Sequence, residues 1–98
     1  MVIWLMKWKM LKVKSQPNLC KKQECLIILM EECGEVIQEA SKIMRFGNDA
    51  DKLTKELGDL QFMINLTANH LGIDSVSIGV YANEKREKLQ KYSNLIDK

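Results

Sequence analysis

A proline-free run from Leu19 to Phe46, with carboxylates recurring at helical spacing, constrains this chain more than any other feature. Proline occurs once, at Pro17, and glycine is scarce, so long helices are permitted and an all-β fold is disfavoured. Residues can be laid on a helical wheel at about 100° each. Leu26, Met30, Gly34, Ile37, Ser41 and Met44 then share one face, while Cys25, Ile28, Leu29, Val36 and Ile43 carry the apolar arc past half the circumference. Glu32, Glu35 and Glu39 fill the strip that is left. A lone surface helix carries a narrower apolar stripe. This segment is therefore expected to pack on two sides, one of them a subunit interface.

The sequence "RFGND" supplies a stop, with Gly47 suited to a helix C-terminus and Asn48 or Asp49 to the next N-cap. A second helix is predicted from about Ala50 to Leu71, closed by Gly72. A third begins near Asp74 or Ser75 and runs to Ser93, although the β-branched "SVSIGVY" weakens the signal over its first turns. Neither an internal repeat nor a low-complexity tract is present. The expected fold class is all-α: a small antiparallel helical bundle with tight connections. At 98 residues it is one marginal domain, for which oligomerisation is a natural remedy. Residues 19–98 form that domain, preceded by an extension, 1–18, whose structure the sequence leaves open.

A net charge of +2, with basic residues interleaved among acids, gives no nucleic-acid footprint. Three cysteines without a CxxC pattern favour reduced thiols in a cytoplasmic setting over disulfides or a zinc site. The start, "MVIWLMKWKMLKVK", is broken by Lys7, Lys9 and Lys12 and is a poor signal peptide. It also falls short of the roughly 20 apolar residues that a membrane span needs. Packing of Trp4 and Trp8 on the body or a neighbouring subunit is preferred to a membrane-surface anchor.

Chemistry enters with two acidic pairs. On the second wheel Leu53, Leu57, Leu60, Ile64 and Leu71 make one stripe, and Phe62 and Leu66 make another. Glu56 and Asp59 fall between them, in line with Met63 and Thr67, where protein should face them. Glu32 and Glu35 are similarly three apart on the first helix, hence on one face. Antiparallel packing lets all four converge, and such carboxylates repel unless a cation sits between them. Oxygen donors at this density suit Mg²⁺ or Mn²⁺ better than zinc. The competing reading is a solvated face, with Lys52–Glu56 and Lys55–Asp59 as salt bridges.

"EECGE" followed by "ELGD" resembles the EExxE…ExxD signature of the MazG-like, all-α nucleoside triphosphate pyrophosphohydrolases. "LIILMEECGEVIQEASKIMRFG", "KLTKELGDL" and "KREKLQKYS" are similar in order and spacing to its compact single-domain, phage-type members, over roughly residues 22–93. Residues 1–18 match nothing in that pattern.

The resemblance implies Mg²⁺-dependent hydrolysis of a (deoxy)nucleoside triphosphate between its α- and β-phosphates, giving monophosphate and pyrophosphate. It makes Glu32, Glu35, Glu56 and Asp59 the metal ligands and leaves Glu31 as a water-orienting base. Lys85 and Lys88, which share a face of the last helix, and Arg45 are the candidates to bind substrate phosphate. A homodimer or homotetramer, with the site built partly across subunits, is the implied assembly. From another class, the competitor is a non-catalytic helical module whose acidic face binds a basic partner. His70 and the cysteines read as structural, as do Phe62, Tyr81 and Tyr92.

Overall fold

The computed structural model describes residues 19–97; the expectations for residues 1–18 lie outside them. The described residues form three helices and no strand: α1 (Lys21–Phe46), α2 (Asp51–Leu71) and α3 (Ser75–Tyr92). This is the all-α class expected.

Each boundary has a local cause. At the start of α1 the Cys20 N–H donates to Gln23 Oε1 at 3.0 Å. At its end Gly47 takes φ +66° and donates its N–H to Ile43 O, a left-handed conformation that costs a Cβ-bearing residue. Asp49 Oδ1 accepts from Asp51 N at 3.1 Å, so the expected capping carboxylate acts one residue ahead of the Ala50 cap. Gly72, φ +67°, closes α2 in the same way as Gly47 closes α1. Asp74 caps α3 by accepting from Val76 N at 3.1 Å. That cap holds "SVSIGVY" helical despite its β-branched residues.

The four-residue link 47–50 folds α2 back along α1, and among the described residues these two helices make the main tertiary contact. Buried residues are Cys25, Glu32, Glu35 and Glu39 from α1 with Glu56, Met63, Thr67 and Ala68 from α2. The strip that α1 turns toward α2 is therefore its acidic one. The apolar face points outward: Ile37 is 69% exposed and Met44 87%. Among the described residues α3 buries none, and it barely touches the hairpin. The radius of gyration, 16.1 Å, exceeds the roughly 13 Å of a compact chain this long.

Several residues read as structural are not packed. Phe62, Tyr81 and Tyr92 are exposed. All three cysteines are free thiols, with Cys25 buried and Cys20 and Cys33 exposed. His70 is half-buried in the last turn of α2.

Candidate metal centre

The acidic strip of α1 meets the Glu56–Met63–Thr67 line of α2 because both helices leave apolar stripes on their other faces. The outcome is a helix interface whose centre is made of carboxylates. Glu35 is 1% exposed, the most deeply buried large side chain, and Glu32, Glu39 and Glu56 are buried beside it. One carboxylate oxygen each from Glu32, Glu56 and Asp59 lie within 4.8 Å of one another. Asp59 sits on the rim, with its side chain 45% exposed.

Two lysines bind the edges of this cluster. Lys55 Nζ lies 3.0 Å from Asp59 Oδ2 and 3.5 Å from Glu56 Oε1. Lys42 Nζ donates to Glu39 Oε2 at 3.2 Å. The centre has no such partner among the described residues: both oxygens of Glu35 and Oε2 of Glu32 are buried without a hydrogen bond. An ionised carboxylate in that setting is costly unless compensated. Burial, and then the Glu56 and Glu39 charges, push the Glu35 carboxyl above its ordinary value. Burial, then Asp59 and Glu56, do the same to Glu32. The hydrogen bond to Asp59 raises the Lys55 ammonium.

The candidate phosphate-binding cations lie elsewhere. Lys85 and Lys88 are exposed on α3, and no hydrogen bond or ion pair between described residues joins that helix to the hairpin. Arg45 is exposed at the end of α1, stacked over Phe46 at 4.8 Å. With Ile37, Lys42 and Phe46 it lines a shallow hollow of about 370 Å³. Glu31 is half-buried on α1 and is not among the converging oxygens. Of the two salt bridges that spacing suggested, Lys55–Asp59 forms, whereas Glu56 is approached by Lys55 and not by Lys52.

A family model, the MazG nucleotide pyrophosphohydrolase domain, matches residues 21–93. The chain belongs to that family. The matched span holds α1, α2 and α3 entire, and with them both halves of the acidic motif. No curated protein and no solved structure matched the chain.

A MazG domain implies a divalent cation, and the residues present fit one. The donor set is all carboxylate oxygen, as a hard cation requires. Glu35 offers two buried oxygens that have no hydrogen-bond partner among the described residues. Separations of up to 4.8 Å for Glu32, Glu56 and Asp59 are close to the roughly 3–4 Å between oxygens around one Mg²⁺, given bonds of about 2.1 Å. Sequence spacing did not single out Glu39, buried in the same interface, or the second contact of Lys55.

Proposed function

We propose that this chain hydrolyses (deoxy)nucleoside triphosphates to the monophosphate and pyrophosphate, with Mg²⁺, or Mn²⁺ in its place, held by Glu32, Glu35, Glu56 and Asp59. The observation that carries the reading is the burial of Glu35 with both oxygens unpartnered. Membership of the MazG family supports nucleotide pyrophosphohydrolase activity. The buried carboxylates supply the local reason for a metal.

A cation bound there supplies charge neutralisation at phosphate oxygens and activation of an attacking water. The chain's own residues do the rest. Glu32 and Glu35 come from α1, Glu56 and Asp59 from α2, so the hairpin holds ligands on two rigid helices whose register is set by the 47–50 turn. Asp59, on the exposed rim, marks the side from which a triphosphate enters. Glu31, next to Glu32, is the residue we assign to orienting the water. Lys85, Lys88 and Arg45 serve as phosphate contacts if assembly brings them to the rim. We place the site in a homodimer or homotetramer, in a cytoplasmic setting.

A module that recognises a basic partner through its acidic face is disfavoured by the same geometry. Glu32, Glu35, Glu39 and Glu56 face α2 or α1, not solvent.

The test is a panel of canonical and modified nucleotides, with purified full chain and Mg²⁺, scored for pyrophosphate release. At least one nucleotide is expected to turn over. Glu35→Gln or Asp59→Asn is expected to abolish release with helical circular dichroism retained. No turnover across the panel, or unimpaired turnover in both variants, would sink the proposal.

A further inference from the structure

Of the cations on the described helices, Lys55 makes the closest contact with the candidate ligand trio. It sits beside two carboxylates that a metal would need. Its Nζ lies 3.0 Å from Asp59 Oδ2 and 3.5 Å from Glu56 Oε1, while the side chain stays 72% exposed. An ammonium and a divalent cation cannot share those oxygens without repulsion. Lys42, the other lysine at the cluster, binds Glu39 and touches none of the trio.

We infer that Lys55 is a tethered counter-cation of the carboxylate cluster that a divalent ion displaces, and that its released ammonium then binds the phosphates of the incoming nucleotide. The inference rests on the hydrolase reading above. The geometry supports each part. Asp59 and Glu56 are partly neutralised by Lys55 when no metal is bound, so the hairpin tolerates its acids. A metal taking those oxygens leaves Nζ without partners on the rim beside Asp59, where an anion would arrive. The exposed stem can swing without disturbing the helix interface. Lys85, Lys88 and Arg45 make no contact with the cluster within the described residues. Lys55 thus fills a role that the resemblance gave to Lys85, Lys88 and Arg45.

The experiment compares wild type, Lys55→Met and Lys55→Arg as full-length protein. Metal affinity is read without nucleotide from the electron paramagnetic resonance signal of free Mn²⁺. Lys55→Met is expected to bind Mn²⁺ roughly three- to tenfold more tightly, because a like charge several ångströms from the ion is removed in a near-aqueous environment. Lys55→Arg is expected to stay near wild type. At saturating metal, KM for the nucleotide is expected to rise roughly tenfold in Lys55→Met with kcat largely kept, and to recover in Lys55→Arg. Unchanged Mn²⁺ affinity in Lys55→Met would mark the lysine as an ordinary solvated one. Weaker affinity would mean that it orients the ligands, and unchanged KM would remove the phosphate contact; each overturns the inference. Wild type that binds no Mn²⁺ sinks the hydrolase reading as well, whereas wild type that binds and turns over isolates any failure to Lys55.

Discussion

Glu35 shows most plainly how burial and charge are set against each other. With its oxygens unpartnered and its proton affinity raised by burial and by Glu56 and Glu39, it weakens the metal-free hairpin whenever it is ionised. The folded protein holds that proton more tightly than the unfolded chain, whose glutamates titrate near 4.3. Metal-free stability from this group is therefore complete below about pH 4.3 and is lost as pH rises through the elevated folded value. In EDTA, Glu35→Gln should match wild type in Tm near pH 4 and exceed it at pH 8. The gain at pH 8 should be on the order of 1–3 kcal/mol, as when a buried uncompensated charge is removed. A difference that does not widen with pH would contradict the assignment. Mg²⁺ should raise the Tm of wild type by mass action and leave Glu35→Gln nearly unmoved, as differential scanning fluorimetry would show.

Helical spacing made Glu32, Glu35, Glu56 and Asp59 legible, because residues three apart must share a face. The same rule cannot show Lys55 touching Glu56, since adjacent side chains diverge on an ideal helix; a long flexible stem closes that gap. Glu39 was placed in the acidic strip, yet its burial depends on how far α2 overlaps α1, which no wheel reports.

At the scale of elements, helix limits were readable to within two residues because each rests on one local device. Gly47 and Gly72 adopt φ +66° and +67°, and a Cβ at either meets nothing within 4 Å. The cost of alanine there is thus backbone strain alone, roughly 1 kcal/mol. Gly47→Ala should lower Tm by about 4–8 °C in a domain of this size. It should also reduce pyrophosphate release, because the 47–50 turn sets how Glu32 and Glu35 face Glu56 and Asp59. Asp74→Ala behaves differently. Its cap serves α3, which barely packs on the hairpin, so the loss should appear as faster amide exchange in residues 75–80 with little change in global Tm. Periodicity alone did not decide which side of α1 would face α2, since two apolar flanks competed with one acidic strip; the two acidic pairs, read together, pointed to the acidic side. The close fit of two acidic lines between those flanks is a tertiary outcome.

At the scale of the whole molecule, the described helices leave many large apolar side chains exposed. Among the described residues only Cys25, Met63 and Ala68 are buried apolar ones, few for a hairpin whose centre is carboxylate. The outward face of α1, with Met30, Ile37 and Met44 exposed, is where missing burial can be recovered. A standard interface hides about 800 Å² per partner. We expect a dimer or tetramer by sedimentation equilibrium at micromolar concentration. Ile37→Glu with Met44→Glu should shift it toward monomer and lower Tm, since a charge in an apolar contact is left without a partner. Activity should fall in step with dissociation, if a second copy completes the rim that the α3 lysines of the same chain do not contact among the described residues. A wild type that sediments as a monomer and still releases pyrophosphate would show that the hairpin suffices, and would return the phosphate contacts to Lys55 alone.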